Sequence, residues 1–154
     1  MVELTLYKSS NVKRLQDLED ICADDSILSE SLMNISGPSI VQAYRQFLSG
    51  PNSSPSQPLI VLADSLSHRP LAISPKFAGS ANGHNGVKNI IAAFGGMGFY
   101  RLRLGVGTNK GEGGVDAADY VMASLSRKEV EWWTGDGLDT VLDEIQQIVS
   151  KIGA

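Results

Sequence analysis

Leu59-Ile60-Val61-Leu62-Ala63 is an unbroken apolar run, entered through Pro58 and closed by Asp64. A run this short with no polar face must be covered on both sides, which is the condition of a buried central strand in an α/β sheet. Its neighbours alternate in kind. Residues 3–8 alternate polar and apolar and read as a short strand. Residues 11–23 place Val12, Leu15, Leu18, Ile21 and Cys22 on one helical face until Asp24-Asp25 breaks the pattern. Ser36-Gly37-Pro38 opens a helix whose buried stripe is Ile40, Val41, Tyr44, Phe47 and Leu48, and Gly50-Pro51 ends it. Residues 71–77 and 100–106 read as further strands, and 87–94 as an amphipathic helix. A Gly-rich loop follows over 108–114, then a short helix over 115–123. Ser126 and Glu129 form a capping-box pattern ahead of a helix over 126–133. Leu138, Val141, Leu142, Ile145, Ile148, Val149 and Ile152 recur at helical spacing to the end. Strands alternating with helices give the expected fold class, an α/β protein built as a three-layer α/β/α domain around one sheet.

The 154 residues suit a single domain, since domains commonly hold about 100–200 residues. Cys22 is the only cysteine, so an internal disulfide or a cysteine-based metal cluster is excluded. No cofactor is expected. No apolar run approaches the roughly 20 residues that cross a bilayer, so no membrane partner is expected. The first residues lack the flanks of a secretory or transit segment; the expected setting is the cytoplasm or the mitochondrion, and the expected state a monomer. A net charge of −4 argues against a general nucleic-acid binder. Its distribution is more specific. From Ser65 to Gly111 there is no Asp or Glu, while Arg69, Lys76, Lys88, Arg101, Arg103 and Lys110 lie there with both histidines. Such a block is the footprint of a local anionic ligand, such as a few phosphates. Trp132 and Trp133 read as one core ring and one surface ring rather than as a base-stacking platform.

Two short segments carry chemistry: Leu32-Met33-Asn34-Ile35-Ser36-Gly37, and Gly83-His84-Asn85-Gly86. Each sets a carboxamide among small neighbours at a helix start, where unpaired N–H groups and the helix dipole favour anions or developing negative charge. An ordinary Gly-rich turn with Asn as helix cap would look the same. Asp64 stands at the carboxyl end of the central strand, where open α/β sheets place ligand-binding residues.

Read in order with Leu59-Ile60-Val61-Leu62-Ala63-Asp64, Arg101-Leu102-Arg103-Leu104-Gly105-Val106-Gly107 and Asp119-Tyr120-Val121-Met122, these segments resemble the bacterial-type peptidyl-tRNA hydrolase family over about residues 31–125. The resemblance implies a central mixed sheet. It implies hydrolysis of the ester joining a peptide to the terminal ribose of tRNA, with peptidyl-tRNA as partner. It makes Asp64 the carboxylate that orients a base, and Asn34 and Asn85 the holders of peptide carbonyls and water. Gly83, His84 and Gly86 become the loop that offers backbone contacts. Lys76 and Arg103 become contacts to tRNA phosphates, and neighbouring Lys88 and Arg101 are further candidates.

The resemblance also implies a base that the quoted residues do not include. In the family it is a histidine near the N-terminus, after a strand and a Gly-Asn-Pro-Gly turn. No such segment occurs in these 154 residues. The expectation is therefore an N-terminally incomplete domain lacking one central strand, with residues 11–30 as an insertion. His84 reads as structural and His68 as a surface residue. The same features suit a non-catalytic RNA-binding relative of the same fold.

Overall fold

The structure, a computed structural model, describes residues 3–6, 26–28, 32–50, 57–107 and 123–152. Its strands are β1 (Glu3–Leu6), β2 (Ser26–Leu28), β3 (Leu59–Ser65), β4 (Ile73–Phe77) and β5 (Tyr100–Gly105). They form one sheet in the order β2-β1-β3-β5-β4. All neighbours are parallel except β4, which runs antiparallel to β5. The helices are α1 (Gly37–Leu48), α2 (Asn85–Ala93), α3 (Arg127–Trp133) and α4 (Asp136–Ile152), with a 3₁₀ turn at Met33–Ile35.

The apolar run from Leu59 forms the strand at the centre, and its five apolar residues are all buried. Alternation of side chains sorts them between two faces. Leu59, Val61 and Ala63 pack with Ile40 and Tyr44 of α1 and Val87 and Ile90 of α2. Ile60 and Leu62 pack with Leu102 and with Val141, Ile145 and Ile148 of α4. Helices therefore cover both faces, and the expected three-layer α/β/α fold around a mixed sheet is found. α1 starts at Gly37 with Pro38 in its first turn, and Ser126 and Glu129 close the capping box of α3.

One strand boundary shifts, and two other segments gain detail. The stretch read as an insertion supplies β2, which pairs in parallel with β1, so β1 has a strand on each side. β4 begins at Ile73 rather than residue 71 because Leu71 takes a left-handed φ of 63°. Ala72 N–H bonds back to the Arg69 carbonyl at 3.2 Å, closing a turn where the strand had been read. Trp133 packs on the α4 side of the core. Trp132 meets it edge-on at 4.6 Å and covers Gly137, so neither ring is a free platform. The expected helices at 11–23 and 115–123 and the loop at 108–114 lie outside the described residues, apart from Ala123.

Candidate active site

β3 rises from the core to the rim, and its last two residues, Asp64 and Ser65, are half-buried. There Asp64 Oδ1 meets His84 Nε2 at 3.0 Å. His84 is the N-cap of α2, with an extended backbone (φ −76°, ψ 109°), and its Nδ1 accepts the Val87 N–H at 3.2 Å. A neutral imidazole has one donor and one acceptor nitrogen. Because Nδ1 accepts from the backbone, the ring proton sits on Nε2 and is donated to Asp64. Both ring nitrogens are thus committed. The cap belongs to His84 rather than to an Asn, and Asn85 is the first residue of the helix, exposed to solvent.

The Met33–Ile35 turn packs against this helix start. A Cβ on Gly86 would lie 2.6 Å from Met33 Cγ, so glycine is what lets the two segments close up. Ser36 is fully buried, and its hydroxyl donates to the Met33 carbonyl at 2.9 Å. One turn further along α2, Asn89 Oδ1 accepts the Gly37 N–H at 2.7 Å and ties the start of α1 to α2. The turn that carries Asn34, an exposed residue, is in this way packed against the start of α2. Segments far apart in the sequence meet at one end of the sheet: Asp64 on the strand, Gly83, His84, Asn85 and Gly86 on the loop and helix, and Asn34 on the turn.

The basic residues divide differently. Lys76 lies opposite Arg101 in the β4–β5 ladder, and Ser74 opposite Arg103. Lys76 is half-buried, with its Nζ 3.3 Å from where a Gly79 Cβ would sit. Arg103 donates from Nε to the Ser74 carbonyl at 3.2 Å and from one Nη to Ser74 Oγ at 2.6 Å, so half its fork is spent inside the sheet. Arg101 does not serve as a phosphate contact: it is 2% exposed, beneath the loop that leads to His84. Burial, and secondarily Arg103, lowers its pKa. Lys88 is exposed on α2.

His68 is half-buried in the turn that follows β3. Its Nδ1 lies 2.7 Å from Ser65 Oγ and 3.3 Å from Ser67 Oγ. Burial, and secondarily the Arg103 charge, pushes its pKa below the ordinary value. The ring lies one turn beyond Asp64. The Ser-x-Ser-His string was the one available signal for this cluster, since a serine hydroxyl can bond a polar group two or three residues on within a turn. Among the described residues, no group of three or more His, Cys, Asp or Glu side chains is placed to share a metal ion.

A model of the peptidyl-tRNA hydrolase family matches residues 13–153. The peptidyl-tRNA hydrolase of Agathobacter rectalis is 35% identical over 125 residues, 79% of this chain and 64% of that protein. That of Geobacter metallireducens is 33% identical over 124 residues, 80% of this chain and 57% of that protein. The chain thus spans less than two thirds of the length of these relatives. Among solved structures, peptidyl-tRNA hydrolase from Acinetobacter baumannii is 26% identical with a TM-score of 0.60, over 82% of this chain and 62% of that one. An Arg119Gln mutant of the same enzyme aligns over 99% of this chain and 90% of that one with a TM-score of 0.72. At 20% identity, that likeness bears on the fold.

Proposed function

The chain belongs to the peptidyl-tRNA hydrolase family, and from that premise we propose that it takes part in hydrolysis of the ester between a peptide and tRNA, with peptidyl-tRNA as its partner. The observation that carries this reading is the Asp64–His84 pair, held at 3.0 Å at the strand end beside Asn85, with the Asn34 turn packed on Gly86. Ester hydrolysis needs a base that takes a proton from water, a group that orients the base, and donors for the oxyanion. Asp64 is the orienting carboxylate: His84 occupies Oδ1 and fixes its direction, and Oδ2 is left for the base. Asn34 and Asn85 offer exposed carboxamides that hold peptide carbonyls and the attacking water. The start of α2 brings backbone N–H groups and a favourable dipole to the developing negative charge.

His84 cannot be the base while Nδ1 accepts the Val87 N–H and Nε2 donates to Asp64. We assign the base to a histidine outside these 154 residues, on the Gly-Asn-Pro-Gly segment that the family resemblance implies. Lys76 and the free arm of Arg103 take tRNA phosphates, as a point charge and as part of a fork. The test is single-turnover cleavage of an N-acetyl-aminoacyl-tRNA by the chain extended with that segment. Asp64→Asn and Asn85→Ala should slow cleavage while leaving the tRNA dissociation constant within about twofold, since both act on the reacting centre and neither on phosphates. Equal rates in parent and variants would remove Asp64 and Asn85 from the site.

A further inference from the structure

The loop between β4 and α2 carries four left-handed residues in a span of six positions: Ala78 (φ 49°), Gly79 (77°), Asn82 (51°) and Gly83 (85°). Ala78 and Asn82 have a Cβ, so this backbone persists only if something outside the loop holds it. The loop ends at His84 and Asn85, so its path decides whether they reach Asp64 and the rim. Beneath it lies the Arg101 guanidinium. One Nη donates to the Ser80 carbonyl at 2.9 Å. The other donates to the carbonyls of Ala78 and of Gly79, the latter at 3.1 Å. Arg101 itself is anchored in β5, between β3 and β4, and its guanidinium stands 5.9 Å from the Phe99 ring centroid.

A buried cation is costly unless its donors are met. Among the described residues no carboxylate pairs with Arg101, and its Nε has no partner. An apolar side chain would fill the space without that cost, so the charge is explained by what its fork does for three successive carbonyls. A planar fork can bind several acceptors in fixed directions; a lysine amine cannot. We propose that Arg101 is a positioning residue, a buried clamp that sets the residue 78–83 backbone and thereby delivers His84 to Asp64 and Asn85 to the rim. Its importance for catalysis rests on the hydrolase reading above; the clamp itself does not.

The experiment uses the 154-residue chain and Arg101→Lys, which keeps charge and bulk but loses the fork. Amide hydrogen exchange is followed at His84 and Val87 in the loop and cap, and at Leu62 and Leu102 in the core. The chain has two histidines, so nitrogen NMR of the rings reads the His84 tautomer directly. The clamp predicts exchange at His84 and Val87 faster by about tenfold or more, with Leu62 and Leu102 within about twofold. It also predicts loss of the single Nε2–H signature of His84. Arg101→Gln removes the buried charge, is less prone to global unfolding, and is read in the same way. Unchanged loop exchange and an unchanged His84 tautomer would overturn the proposal. So would a parallel rise at loop and core, which would make Arg101 a general core residue. No turnover in a chain extended by the segment with the family histidine, together with the local loss in Arg101→Lys, would count against the hydrolase reading and leave the clamp standing.

Discussion

Replacing His84 separates two jobs that one ring performs. His84→Ala removes the cap of α2 and the partner of Asp64 together. Loss of an N-cap side chain costs about 0.5–2 kcal/mol. The Asp64 side chain is 31% exposed, so water takes over part of its hydrogen bonding, and the lost pair adds at most about 1 kcal/mol. The sum is about 2 kcal/mol. In a domain of this size each kcal/mol lowers Tm by about 2–4 °C, so the expected fall is about 4–8 °C. His84→Asn is the informative partner. Asn is among the best N-caps and suits the extended backbone at this position, but it is too short to keep the 3.0 Å contact with Asp64. It should recover about half the loss, and the Val87 amide should stay protected as in the parent. Thermal unfolding of the three proteins, with amide exchange at Val87, makes the comparison. Equal destabilisation by Asn and Ala, or none by Ala, would refute the view that the ring caps the helix.

Other expectations follow from the same geometry. Gly37→Ala would set a Cβ 2.5 Å from the Asn89 carbonyl oxygen, backbone that cannot swing away, so the urea midpoint should fall by an amount equivalent to about 1–3 kcal/mol. His68 has a folded-state pKa below its unfolded value, so the unfolded state binds more protons between the two. Its contribution is therefore full above the unfolded value of about 6.5 and is lost as pH falls through the folded value. His68→Gln should flatten that acid limb in unfolding midpoints taken from pH 7 downward; an unchanged limb would show that His68 titrates as in solution. Lys76→Ala should weaken tRNA binding and reduce the salt-dependence slope by about one unit, while Arg101→Lys leaves that slope alone. An unchanged slope in Lys76→Ala would make the acid-free block a solvated face.

What could be read in the sequence was what depends on near neighbours. The Leu59 run announced a strand covered on both faces because every residue in it is apolar. Ser126 and Glu129 announced a helix start because the capping box closes within four residues. The rest depends on pairings that sequence distance hides. Leu71 fits an apolar pattern, and nothing local shows that its backbone turns left-handed before β4. Ser26–Leu28 are too few to alternate, so β2 could not be told from an excursion. Arg101 and Arg103 look alike as charges on one strand. Only the loop folded back over β5 turns Arg101 inward to three carbonyls and leaves Arg103 half free. Asn34, Asp64 and Asn85 were singled out through their motifs, but the packing of the segments that carry them depends on Gly86 leaving room for Met33 and on His84 reaching both Val87 and Asp64. A histidine as helix cap was not foreseen because shorter polar side chains usually fill that position.

The most direct measurement of the central claim is single-turnover cleavage of an N-acetyl-aminoacyl-tRNA by three proteins: the 154-residue chain, its His68→Ala variant, and a chain extended by a family segment with Gly-Asn-Pro-Gly and its histidine. General-base catalysis contributes about 10²–10⁴-fold. With His84 committed to Asp64 and to the cap of α2, the 154-residue chain should cleave slowly, His68→Ala should have no effect, and the extended chain should show a rise of that order. Full-rate cleavage by the 154-residue chain, abolished by His68→Ala, would contradict this and make His68 the base.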